Sequence, residues 1–145
     1  MRRSEYLTEK RDFHKLTASL LMEEDVKFCR LSDSARHVAS QLTKFNFGSL
    51  PVVDDKGMLL GLISEFDLLD VLIKSRDLKD IRAEEIMSRE VKFVREDTPV
   101  DEIIRLLEAD HLIRVPVVRD GKLVGIVARR DILFGYIKST AEYWP

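Results

Sequence analysis

The chain has 145 residues, enough for one domain or for two half-domains sharing an interface, and 24 Lys+Arg against 26 Asp+Glu leave a formal charge of −2. That balance lacks the excess of positive charge that nucleic-acid and anionic-membrane binders use, and no apolar run is long enough to span a bilayer. No apolar signal core follows Met1-Arg2-Arg3-Ser4-Glu5, so the expected location is cytoplasmic.

Residues Met1–Lys15 are charged, with Tyr6, Leu7 and Phe13 as the sizeable apolar groups, and read as a frayed lead-in or short helix. Val26–Arg30 is a short β-branched and aromatic run that predicts a strand, with Cys29 as a small core residue. One cysteine offers neither a disulfide framework nor a cysteine metal site within the chain. Asp33 is the expected cap of a helix with Val38, Ala39, Leu42 and Phe45 on its inner face. Ser49–Val53 predicts a second strand, Asp54-Asp55-Lys56-Gly57 a hairpin turn, and Met58–Ile63 a returning strand. Glu65–Lys74 then predicts a helix with Phe66, Leu69, Leu72 and Ile73 inward. After the polar connector Ser75–Asp80 the order recurs. Thr98-Pro99-Val100-Asp101 reads as a capped helix start, Arg114–Val118 as a strand, Asp120-Gly121 as a turn and Leu123–Ala128 as the returning strand. The closing Tyr143, Trp144 and Pro145 are expected to pack against something.

The recurrence is an internal repeat. An offset of 65 pairs Met22 with Met87, Val26-Lys27-Phe28 with Val91-Lys92-Phe93, Arg30 with Arg95, and Pro51-Val52-Val53 with Pro116-Val117-Val118. After one residue is dropped near Lys56, an offset of 64 pairs Gly61 with Gly125, Asp67 with Asp131, and Ile73-Lys74-Ser75 with Ile137-Lys138-Ser139. The expected organisation is a lead-in over 1–17, repeats over 18–75 and 83–139, a connector over 76–82 and a tail over 140–145.

In both copies a strand runs straight into a helix, at Gly61–Asp67 and at Gly125–Asp131. A helix start presents N–H groups without intrahelical partners and the positive end of the macrodipole, so an anion there meets several donors. Gly61 is expected to let the backbone come close, Ser64 to add a hydroxyl, and Asp67 to accept from the two hydroxyls of a ribose. The alternative is that Ser64 and Asp67 form only a capping box. Copy two has Ala128 in place of the serine yet keeps Asp131, which a reciprocal box alone would not require.

A β-α-β-β-α unit present twice, each with the hydrophobic-Pro-Val-Val strand, the Gly turn and the junction opening a helix, resembles a tandem pair of cystathionine β-synthase (CBS) domains, the Bateman module. The likeness covers Ala18–Lys138. It implies an α+β fold in which two repeats pack about a pseudo-two-fold axis. Two clefts between them hold adenosine ligands such as AMP, ADP, ATP or S-adenosylmethionine. It makes Ser64 a phosphate contact, Asp67 and Asp131 ribose acceptors, and Val26, Pro51, Val91 and Pro116 candidates to enclose the base. Arg114 stands where relatives in the AMP-activated protein kinase carry phosphate-binding Arg or His, opposite Ser49 in copy one, and Arg129 and Arg130 follow Ala128. The resemblance also implies a flat homodimer formed through the helical faces.

His111 pairs with Asn46 at a helix end and reads as structural, and His14 and His37 lack partners at metal-ligand spacing. No nucleophile–base pair, metal set or phosphate loop marks an enzyme. The expected function is a regulatory sensor of adenine nucleotides that signals to a separate protein and needs no cofactor. The alternative is a ligand-free dimerisation or interaction module.

Overall fold

The structure, a computed structural model, describes residues 11–140; Tyr6, Leu7 and the Tyr143–Pro145 tail lie outside the described residues. It is α+β, with two three-stranded sheets, and divides into two compact units. One unit is Lys27–Val91 and the other joins the described residues up to Val26 with those from Lys92 onward.

In the Lys27–Val91 unit the order is β1 (Cys29–Arg30), α2 (Ala35–Phe45), β2 (Ser49–Val53), β3 (Leu59–Ser64), α3 (Glu65–Ile73), a 3-10 turn (Leu78–Asp80) and α4 (Ala83–Ile86). In the other a 3-10 turn (Phe13–Lys15) and α1 (Ala18–Leu21) are joined by β4 (Val94–Arg95), α5 (Val100–Ala109), β5 (Arg114–Arg119), β6 (Lys122–Ala128) and α6 (Arg129–Thr140). Each sheet has its short strand parallel to the middle strand and the middle strand antiparallel to the last.

The strand expected over Val26–Arg30 is only Cys29–Arg30, and β4 is equally short. Cys29 faces Val52 and Val94 faces Val117, so one step back the partner would be Pro51 or Pro116. Proline has no N–H to donate, and the parallel ladder stops there. Cys29 is buried as expected, and desolvation pushes its thiol up to about 12, so it is an inert core group.

The expected helix caps shift by one residue for a shared reason. Asp33 Oδ2 accepts the Arg30 N–H at 2.8 Å, and Thr98 Oγ1 accepts the equivalent Arg95 N–H at 2.9 Å. Both side chains close the turn after the first strand. Ser34 is the cap of α2, accepting from the His37 N–H at 3.1 Å, while α5 starts from Pro99 without a side-chain cap bond.

The inward face expected for α3 is the wrong one. Leu68 and Val71 are buried, whereas Phe66 and Ile73 are 83% and 82% exposed and Leu69 and Leu72 are also exposed. The same rotation holds in α6, where Ile132 and Gly135 are buried and Leu133, Tyr136 and Ile137 exposed. Where the Ser64–Asp67 cap starts the helix fixes which positions meet the sheet, and the spacing of apolar residues alone does not carry that phase.

Each short helix packs where the numbering of the repeats would not put it. Ile81, Ala83 and Met87 join the core of β1–β3, while Leu16, Ala18, Leu21 and Met22 join that of β4–β6. Backbone bridges fix these placements: Leu62 with Ser88 at 3.0 and 2.9 Å, and Glu23 with Ile126 at 2.8 and 3.0 Å. This is why Gly61 and Gly125 are glycine. A Cβ at Gly61 would lie 2.6 Å from Met87 Sδ, and one at Gly125 would collide with Met22. The close approach expected at Gly61 is therefore to a methionine of the core.

Candidate functional site

In the Lys27–Val91 unit, antiparallel pairing sets Ser49 opposite Ser64 at the end of the sheet where β3 passes into α3. The Glu65 N–H donates to the Gly48 carbonyl at 3.1 Å, tying the helix start to the loop before β2. Ser64 and Asp67 form a complete capping box. The Ser64 N–H donates to Asp67 Oδ2 at 2.8 Å, the Ser64 hydroxyl donates to the same oxygen at 3.2 Å, and the Asp67 N–H donates to Ser64 Oγ at 3.4 Å.

Two consequences bear on the expected anion site. The Glu65 and Asp67 N–H groups are already engaged, and the Ser64 proton is held by Asp67, so Ser64 donates to a phosphate only by rotating out of that bond, at a cost of about 1 kcal/mol. Asp67 itself is half-buried, and both bonds from Ser64 fall on Oδ2, which leaves Oδ1 as an acceptor for other donors.

The second junction repeats the frame with different groups. Arg114 lies opposite Ala128, and the Arg129 N–H donates to the Ile113 carbonyl at 2.9 Å, the counterpart of the Glu65–Gly48 bond. Asp131 is only 4% exposed, and its Oδ2 accepts the Ala128 N–H at 2.7 Å. The retained carboxylate thus keeps its capping bond without the serine hydroxyl, so its survival in copy two favours a ligand no more than a cap. Arg114 is half-buried beside it. Desolvation lowers the guanidinium to about 10, opposed by the field of Asp131, and it stays a cation at neutral pH. Arg129 and Arg130 are exposed at the start of α6.

The structure therefore groups Ser49, Ser64 and Asp67 at one junction and Arg114, Arg129, Arg130 and Asp131 at the other. Pro51 and Pro116 are buried in the middle strands, facing Leu62 and Ile126. Val91 lies three residues past the Ser88 bridge to Leu62, and Val26 three past the Glu23 bridge to Ile126, so each valine belongs with the junction of the repeat to which it does not belong in sequence. Both are half-buried and lie outside regular helix and strand. The carbonyls of Gly48 and Ile113 were not among the expected site residues. Their signal was their place just before a strand whose first residue faces the junction.

His111 is exposed at a left-handed helix exit with φ 52°, matching Asn46 with φ 56°. Among the described residues no group of three or more His, Cys, Asp and Glu could hold a metal ion, and no helix is long and apolar enough to cross a membrane.

Residues 18–74 and 83–138 each match the CBS domain family. Among curated proteins, YlbB of Bacillus subtilis, itself uncharacterized, is 33% identical over 115 residues that cover 77% of this chain and 76% of YlbB. The chain spans 53% and 20% of the next two relatives. Among solved structures, CBSX2 in complex with AMP superposes with TM-score 0.75 at 28% identity, covering 84% of this chain and 96% of that one. The CBS domain pair of MJ0100, in complex with 5′-methylthioadenosine and S-adenosyl-L-methionine, superposes with TM-score 0.70 at 30% identity, covering 81% and 97%.

Proposed function

We propose that this chain, which belongs to the CBS domain family and carries the domain twice, is a regulatory module that binds an adenosine ligand and passes its occupancy to a separate protein. The observation that carries this reading is Asp67, a half-buried carboxylate at a strand-to-helix junction whose Oδ1 is left to accept from vicinal hydroxyls. Its support from outside the chain is that two similar pairs were solved with AMP and with 5′-methylthioadenosine and S-adenosylmethionine. In this reading Asp67 and Asp131 hold ribose, Arg114 with Arg129 and Arg130 meets phosphate, and Val26, Pro51, Val91 and Pro116 flank the base. Ser64 meets phosphate after leaving its cap bond. The module works by binding, not by catalysis, in the cytoplasm.

A thermal-shift screen with AMP, ADP, ATP, S-adenosylmethionine and adenosine tests the reading. Ligand at a hundred times Kd adds about 2.7 kcal/mol, or on the order of 5–10 °C in Tm for a chain of this size. Asp67→Ala lowers the Tm of the free protein through the lost cap and, in addition, removes most of the ligand-induced shift. A full shift in the variant contradicts the assignment.

One set of observations favours a second reading, an interaction module without ligand: the capping box is complete, and Phe66, Ile73, Leu133 and Tyr136 expose large apolar surface on α3 and α6. The two readings share one further proposal, that these faces are covered by a second copy of the chain.

A further inference from the structure

The 3-10 turns Phe13–Lys15 and Leu78–Asp80 occupy equivalent places, the first against α5 and α6, the second against α2 and α3. Each is capped by an aspartate: Asp12 accepts the His14 N–H and Asp77 the Lys79 N–H, both at 3.0 Å. What differs is the charge beneath. The offset of 65 that pairs the turns pairs His14 with Lys79 and Asp101 with Arg36. One turn therefore lies over a carboxylate and the other has a second cation in its place. His14 Nδ1 sits 2.9 and 3.1 Å from the two carboxylate oxygens of Asp101. Around this pair the Arg11 N–H donates to the Ser139 carbonyl at 2.7 Å, the Val100 N–H donates to the Leu16 carbonyl at 2.9 Å, and the Phe13 ring meets Tyr136 edge-on at 5.3 Å.

We infer that residues 11–16 form a proton-operated strap, drawn onto α5 and α6 when His14 is protonated and loosened when it is neutral. Among the described residues, the charged groups that act on the ring are Asp101 from α5 and Asp12 from its own turn. The other helix packed against the turn, α6, contributes Tyr136 and the Ser139 carbonyl. The hydrogen bond to Asp101, its charge and then that of Asp12 raise the imidazole above its ordinary 6.5. A group whose docked pKa is raised gives its full contribution below the released pKa and loses it as pH rises through the docked one. The strap is therefore tight in mild acid and slack in mild alkali. Its last residue, Leu16, and then Leu21 of α1 and Met22 just beyond it enter the core, and a Cβ at Gly135 of α6 would strike Leu21. Slackening the strap thus loosens the packing under α6, the helix whose first turn carries Asp131.

The test follows the full chain by NMR between about pH 5.5 and 8.5, a window that brackets an imidazole titration. The readouts are the His14 titration and the amide-exchange protection of Arg11 and Val100. Linkage requires their protection to fall by tenfold for each unit that separates the docked from the released His14 pKa. The expected result is that fall in the wild type with His14 titrating above 6.5, a flat profile with His14 back near 6.5 in Asp101→Asn, and a flat, protected profile in His14→Lys. Protection that is equal at both ends of the range in the wild type, or that falls equally in Asp101→Asn, overturns the inference.

Discussion

A methyl group added at Gly125 meets Met22 Sδ, Cγ and Cβ, all side-chain atoms, with Cβ at 3.1 Å. At Gly61 the same methyl meets Met87 Sδ and Cγ at 2.6 and 2.9 Å but also the Ser88 backbone carbonyl at 2.9 Å. Gly125→Ala and Gly61→Ala should each cost about 1–3 kcal/mol by overpacking. The two should nevertheless differ in a double-mutant cycle measured by urea denaturation. Shortening Met22 to Ala relieves most of the Gly125 clash, whereas shortening Met87 leaves the Ser88 carbonyl in the way. Equal coupling in the two cycles would show that these glycines are not there for the methionines. The two glycines were visible in the sequence and so was their recurrence, but not their reason. A glycine before a phosphate and a glycine beneath a methionine look alike until the chain segment that covers it is known.

The helix ends show at the next scale what a linear reading holds and what it loses. The order of strands and helices and both hairpin turns were legible, since Gly57 and Gly121 have φ of 83° and 82° where only a left-handed residue closes the turn. The phase of α3 and α6 was not, because it depends on where the cap starts the helix. At the offset of 65, Asp12 and Leu16 also match Asp77 and Ile81, ahead of the repeats read over 18–75 and 83–139. Both stretches precede short helices that pack away from the strands they border in sequence. At the helix exits, Asn46 tolerates the left-handed conformation better than His111 does. His111→Gly should therefore stabilise the protein by about 1 kcal/mol, or roughly 3–6 °C in Tm, with adenosine affinity unchanged. A loss of affinity in that variant would move His111 from a structural role into the binding site.

For the molecule as a whole, the exposed apolar faces of α3 and α6 make the oligomeric state the first property to measure. Light scattering at micromolar concentration should give the mass of a dimer, and Phe66→Glu combined with Ile73→Glu should shift it toward the monomer without lowering Tm by more than a few degrees, because both side chains are largely exposed in the single chain. A monomer in the wild type would leave those faces for another protein. The central claim is that the junctions hold an adenosine ligand, and each junction offers it a different group: a carboxylate with a spare oxygen at Asp67 in one unit, a cation at Arg114 in the other. Calorimetry with AMP and with adenosine on the wild type, Asp67→Ala and Arg114→Ala tests this most directly. The account predicts binding of both ligands, weakened for both by Asp67→Ala. Arg114→Ala should weaken AMP by about ten- to a hundred-fold with little change for adenosine, since a charge-assisted contact is worth roughly 1.5–3 kcal/mol. Absence of heat with either ligand, or wild-type affinity in Asp67→Ala, would contradict it.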